Sequence, residues 1–202
     1  MGICEMADSY RCFAQLAAGE RRGTDYQIVV RDRGNVFAVI APHGGWIEPG
    51  TSELASAIAA NDHSFYAFEG LRRGRAHGDL HITSHRFDEP QGVALVASCR
   101  SVVAVHGRAD SNNPSTWLGG RHDTLRRAIE AALATAGFEA RLAVGPLGGT
   151  DAANICNKTV DGAGVQLELP RTLRDRLLED ERLMATYSDA IRGCLLPDLL
   201  IR

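Results

Sequence analysis

The chain has 202 residues, of which 45% are hydrophobic and 23% charged, with a formal net charge of −3. That is room for one sizeable core, and neither a basic tail nor a basic patch invites nucleic acid. No apolar run approaches the ~18 residues of a membrane span, which excludes a spanning helix.

The predicted elements alternate between helix and strand. Residues 5–19 place Met6, Tyr10, Phe13, Leu16 and Ala17 at helical spacing, and Gly19 or Gly23 ends the segment. Tyr26 to Val30 reads as a short strand, followed by Arg31-Asp32-Arg33-Gly34-Asn35 with hairpin-turn chemistry. Val36 to Ile40 is a buried strand that breaks at Ala41-Pro42. Beyond it come His43, Gly44, Gly45, Trp46 and Glu48, then a helix over 52–60. Ser64 to Glu69 is a strand closed by Gly70, 71–78 a basic loop, and Leu80 to Ser84 a strand. A short helix starts at Glu89-Pro90, and Ser101 to Val105 runs as a strand into His106-Gly107. Thr116 to Leu118 is extended. Asp123 to Ala136 is the clearest amphipathic helix, with Leu125, Ala128, Ile129, Ala132 and Leu133 on one face. Phe138 to Val144 and Val165 to Leu169 alternate as strands, and 171–195 is helical in two pieces. The interleaving, without repeats or linkers, predicts a single α/β domain over 1–202, with a mixed sheet flanked by helices on both faces.

The first thirteen residues, MGICEMADSYRCF, lack the pattern of a signal peptide, and Met6 removes a myristoylation reading of Gly2. Five cysteines (Cys4, Cys12, Cys99, Cys156 and Cys194) form no C-x-x-C pair. Reduced thiols in a cytoplasmic protein are the expectation. Nothing signals an obligate interface, so a monomer is expected.

Three stretches share one pattern of apolar strand, reactive residue and glycine: VIAPHGGWIE at 39–48, YAFEG at 66–70 and VVAVHG at 102–107. Two histidines from different strand ends with a nearby carboxylate are the three-ligand set of a catalytic zinc site, which leaves a fourth position open. Glu48 supplies a carboxylate; the alternative is a cap on the following helix, where the dipole favours a negative charge. Glu168, between leucines in VQLELP, is the candidate general base; the alternative is an exposed strand residue. His77, His81 and His85 have helical spacing but lie in a loop and strand pattern, so that spacing is read as accidental. His63 and His122 are read as solvated residues at helix ends. Trp46 either walls a pocket or packs on the sheet.

The ordered series APHGGWIEPGTSELA (41–55), FEG (68–70), LHITSHRFDEP (80–90), VHG (105–107), GG (119–120), NICNK (154–158) and GVQLELP (164–170) resembles the phage-type poly-γ-glutamate hydrolases. The resemblance covers about 25–174. It implies a zinc carboxypeptidase-like fold and hydrolysis of γ-glutamyl amides with one zinc ion. His43, Glu48 and His106 become the implied ligands, and Glu168 the implied base. For the substrate's carboxylates it suggests Asn154, Asn157 and Lys158; Arg86 and Arg121 are further candidates. Lys158 stands where the carboxypeptidases carry arginine, and a lysine cannot make a bidentate fork. Two rival readings are a zinc amidase or deacylase with another N-acyl or γ-linked substrate, and a polyglutamate-binding protein without catalysis.

Overall fold

A computed structural model describes residues 8–110 and 113–200, the side chains of 146, 199 and 200 excepted. The strands are β1 (Tyr26–Arg31), β2 (Phe37–Gly45), β3 (Ser64–Gly70), β4 (Ser101–Arg108), β5 (Thr116–Gly120), β6 (Ala140–Leu142) and β7 (Val165–Pro170). They form one sheet in the order β1-β3-β2-β4-β7-β5-β6. β3, β2, β4 and β7 run parallel, while β1 pairs antiparallel with β3 and β5 antiparallel with β7. The helices are α1 (Phe13–Gly19), α2 (Thr51–Ala59), α3 (Pro90–Ser98), α4 (Asp123–Thr135), α5 (Arg171–Glu179) and α6 (Glu181–Arg192).

Alternating strand residues feed two cores. Phe37, Val39, Val103, Val105, Val165 and Leu167 pack with Leu54, Ile58, Ile129 and Ile191 from α2, α4 and α6. Ala38, Ile40, Val102, Ala104 and Tyr66 pack on the other face with Leu16, Leu95 and Val96 from α1 and α3. Both faces of the central strands are therefore buried, which explains the unbroken apolar runs at 37–41 in β2 and 102–105 in β4. The amphipathic stripe of α4 is realised through buried Leu125, Ile129 and Leu133. Among the described residues no helix is long and apolar enough to cross a membrane. Cys12, Cys99, Cys156 and Cys194 are free thiols, and Cys4 lies outside the described residues.

Several sequence expectations are corrected. β2 does not stop at Ile40 but runs on to Gly45, with a register shift against β3 between Ala41 and Gly44. Pro42 falls within that irregularity, a place where a residue without an N–H is tolerated in a sheet. The turn at 31–35 does not close a hairpin, because both flanks of β2 are taken by parallel neighbours and β1 pairs with β3 instead. Asp32 still accepts from Gly34 N–H at 2.9 Å, so the local turn chemistry is real. Residues 80–84 show the expected burial alternation, with Leu80 and Ile82 inside, but they have no ladder partner and are not a strand. The strand predicted over 138–144 shrinks to 140–142, and the first helix to 13–19, with Met6 outside the described residues. His63 and His122 are buried rather than solvated; His122 Nδ1 accepts from Leu125 N–H at the start of α4.

Leu167 is fully buried between the sheet and the helices of the first core. Leu167→Ala is expected to cost about 2–5 kcal/mol of unfolding free energy, read by denaturant titration.

Candidate metal centre

The chain leaves β2 toward β3 on one side and reaches β4 on the other, so the carboxyl ends of β2 and β4 flank a crevice where strand order reverses. His43 comes from the end of β2 and His106 from the end of β4. In β4, His106 shares the face of Val102 and Ala104. Strict alternation along β2 would send His43 to the opposite face, with Val39 and Ala41. The irregularity after Ala41 resets the alternation, and His43 packs against Phe87 of the second core, with ring centroids 6.1 Å apart. The bulge is thus what lets the two imidazoles meet.

Their Nδ1 atoms lie 3.2 Å apart, and His43 Nδ1 is 3.3 Å from Glu48 Oε1. His106 Nδ1 is 3.9 Å from Glu48 Oε2. Ligands at 2.0–2.1 Å around a tetrahedral zinc are about 3.3–3.4 Å apart, so these donors are spaced for one ion. The donor set fits as well. His43 Nε2 lies 2.8 Å from Ile82 O, so that nitrogen carries the proton and Nδ1 presents its lone pair. His106 Nε2 faces Ser84 Oγ at 3.4 Å, again leaving Nδ1 inward. Glu48 does not cap α2, whose N-cap is Gly50. Its Oε2 accepts from Gly107 N–H at 2.8 Å. Gly107 has a second duty: a Cβ there would run into the guanidinium of Arg174, so the VHG glycine is needed for close approach.

All three donors are buried. Burial opposes charge on His43, but Glu48 outweighs it by charge and hydrogen bond and leaves that imidazole raised. Burial likewise works against the Glu48 carboxylate, which His43 above all holds well below the usual range. His106 is pushed down to about 4, by burial first and by His43 second.

Glu168 is the direct register partner of His106 on β7 and projects from the same face. Gln166 Nε2 donates to Glu168 Oε1 at 3.1 Å and lies 3.1 Å from Leu147 O. Asn154 orients that amide: its Oδ1 takes Cys156 N–H at 3.1 Å, so its Nδ2 donates to Gln166 Oε1 at 2.8 Å. A buried chain of amides with one possible polarity therefore ends on Glu168. Burial, and then the charge of Glu48, push the Glu168 carboxyl up to about 8, against the pull of Arg108 and Arg174.

The other predicted residues take varied places. Asn157 donates to Gly149 O and Asp151 O at 2.7 and 2.8 Å, and its Oδ1 accepts from Arg121 N–H and Gly164 N–H. Lys158 Nζ donates to Phe87 O at 3.0 Å. Arg86 pairs with Asp8 at 2.8 Å. Arg121 follows Gly120, which pairs with Val165 at the start of β7, so it stands at the opposite end of the strand pair from Glu168. Glu69 bonds to Gln27 and is not in the cluster. Trp46 is 45% exposed with Arg73 over its ring. A recess of ≈ 380 Å³ between α2, α5 and α6 belongs to the other face of the sheet and includes none of the cluster.

Sequence reasoning missed Arg108, Trp117 and Arg174. Trp117 is the register partner of Glu168 on β5, and Arg108 lies over its ring at 4.8 Å. Arg174 is buried and donates to Pro49 O at 2.5 Å and Arg108 O at 3.3 Å. Arg108 could have been suspected from its place just after VHG. Arg174 looks like any charged residue of an amphipathic helix, and no sequence signal marks it.

This sheet, with its strand-end cluster, is a mixed α/β fold of the kind seen in solved poly-gamma-glutamate hydrolase structures. The family model described as poly-gamma-glutamate hydrolase matches residues 10–190, and the chain belongs to that family. The structure superposes on that of a bacteriophage poly-gamma-glutamate hydrolase with a TM-score of 0.86 and 31% identity, covering 93% of this chain and 96% of that one. Against a zinc-free structure of YndL the TM-score is 0.87 and the identity 31%, over 95% and 98% of the two chains. Among curated relatives from Bacillus subtilis (strain 168), the SPbeta prophage-derived protein YoqZ is 40% identical over 165 residues, 81% of this chain and 59% of YoqZ. YmaC is 38% identical over 176 residues, covering 86% and 73%. The chain thus spans about three-fifths of the length of YoqZ.

The raised Glu168 carboxyl has a consequence for the metal-free protein. Between the ordinary 4.5 and about 8 the folded state holds a proton that the unfolded state releases, so this group's contribution to stability is lost as pH rises through that window. Metal-free Glu168→Gln is expected to lose less stability than the parent between about pH 5 and 8, in denaturant titrations along a pH series.

Proposed function

We propose that this chain is a zinc-dependent hydrolase that cleaves the γ-glutamyl amide bonds of poly-γ-glutamate. The observation that carries the reading is the convergence of His43, Glu48 and His106 at zinc-ligand spacing, with Glu168 in register beside them. Membership of the family supports the substrate. His43 Nδ1, His106 Nδ1 and Glu48 would hold the ion, which when bound supplies Lewis acidity toward the amide carbonyl and makes a water nucleophilic near neutral pH.

Glu168 is the proposed base. It takes the proton of the attacking water and returns it to the leaving amine. Its carboxylate can turn only as far as the Asn154–Gln166 chain, which holds Oε1, permits. The hydrogen bond from Gln166 also favours the charged form that a base needs, against the burial that disfavours it. Arg108 and Arg174 place positive charge near the two carboxylates, in a chain whose net charge is −3. That local charge is suited to an oxyanion or to the substrate's carboxylates. Asn154, Asn157, Lys158 and Arg86 are each engaged within the protein, so any part they have in substrate binding is through the loops they hold.

Metal content and the kinetics of substituted forms test the reading. Purified protein is expected to bind zinc stoichiometrically and to release new amines from γ-linked but not α-linked glutamyl oligomers. Retained hydrolysis in metal-depleted His43→Ala would overturn the proposal. Glu168→Gln is expected to keep its zinc while kcat falls about 100- to 10,000-fold. Gln166→Ala, which frees the base without removing it, is expected to lower kcat about tenfold to a hundredfold with little change in KM. Asn154→Ala should add nothing further in the Gln166→Ala background, since both act through one hydrogen-bonded chain.

A further inference from the structure

Two histidines stand over the buried cluster without belonging to it. His77 lies in a 3-10 turn over His77–Asp79, and His81 in the irregular segment that follows. Their helical spacing is not used, since neither is on an α-helix, yet the fold brings both to Glu48. The rings of His77, His81 and His43 follow one another in tilted contact, with centroids 4.3 and 4.0 Å apart. His77 Nε2 is 3.5 Å from Glu48 Oε1. One ligand atom from each of Glu48, His77 and His81 lies within 4.8 Å of the others.

Asp8 sets the tautomer of His81. Its Oδ1 is 2.6 Å from His81 Nδ1, while its Oδ2 accepts from Thr83 N–H and Arg86 Nη2. Held on both oxygens by donors, the carboxylate acts as acceptor, so His81 Nδ1 carries the proton and Nε2 keeps its lone pair. A carboxylate behind an imidazole whose other nitrogen is free is the arrangement that orients histidines for metal binding. Arg86, a candidate for substrate binding in the sequence, here completes the support of Asp8.

We propose that Glu48, His77 and His81 form a second divalent-cation site, weaker than the buried one and bridged to it by Glu48. Two imidazoles and one carboxylate suit a borderline-soft ion such as zinc rather than calcium or magnesium. The His77 side chain is 48% exposed, whereas His43 and His106 are buried, so this site opens to solvent and exchanges its ion faster. The two sites share a ligand, and an ion in the outer one draws charge from Glu48.

The inference rests on zinc occupying the buried cluster, and the test separates the two claims. Full-length protein is dialysed against a zinc series and its metal content measured. Two equivalents are expected, one tight and one weak. His77→Ala, an exposed substitution whose folding is checked by circular dichroism, should keep the tight equivalent and lose the weak one. Asp8→Asn should weaken the second equivalent about 10- to 100-fold, the usual cost of losing a ligand's supporting partner. A single equivalent in the parent, or a weak equivalent that survives in His77→Ala, overturns the second site while leaving the buried one standing. Absence of the tight equivalent overturns the proposed function instead.

Discussion

A carboxylate that must stay charged inside the protein is the constraint around which this molecule is arranged. Glu48 is 6% exposed, and removing its charge from water is costly unless charge and hydrogen bonds replace the lost hydration. The replacement comes from three separate places in the chain. His43 approaches Oε1 from β2, Gly107 N–H donates to Oε2 from β4, and Arg174 brings positive charge from α5. Each imposes its own requirement: a bulge in β2, a glycine in β4 and a close helix after β7. A divalent cation between His43, His106 and Glu48 would satisfy the same electrostatic need.

The sheet supplies the convergence. β2, β4 and β7 are consecutive parallel neighbours, so their carboxyl ends lie at one edge, and His43, His106 and Glu168 are delivered together. Parallel strands buried on both faces are rigid platforms, because their side chains are packed above and below. The site thus sits on the most constrained part of the fold, while the surrounding segments at 71–88 and 143–164 bring in the supporting groups. Asn157 ties Gly149 and Asp151 to the turn before β7, and Lys158 ties the same region to Phe87. These contacts hold the loops from which the Asn154–Gln166 chain reaches Glu168.

Glu168 and Glu48 make different demands on the same small region. The cluster drives Glu48 strongly toward the charged form, while burial moves Glu168 the other way. Two carboxyl groups pushed apart in acidity by their surroundings can divide the roles of ligand and proton carrier. Arg108 and Arg174 moderate the second shift. The overall negative charge of the chain is therefore a poor guide to its chemistry, since the positive groups that matter are gathered within the site.

Much of this was legible from residues alone. The alternation of strands and helices, the apolar runs of β2 and β4, the stripe of α4 and the strand-end histidines follow from local periodicity and composition, which a sequence displays directly. The convergence of His43, Glu48 and His106 was legible because each ends or follows a strand and parallel strand ends share an edge. The pairing of β1 with β3 was not, because a turn's chemistry does not choose among partners in a sheet. The bulge at Pro42 was not, because its effect is on which face His43 points to. His77 and His81 were set aside because their spacing belongs to a helix they do not form; only the folded loop shows that they reach Glu48. Arg174 carried no sign of burial at all. What the sequence by itself determined was the set of elements and the chemical groups at their ends, through short-range patterns of apolar and polar residues. Only the tertiary structure decided strand order, the facing of His43 and the company of Glu48, because these depend on contacts between residues far apart in the chain.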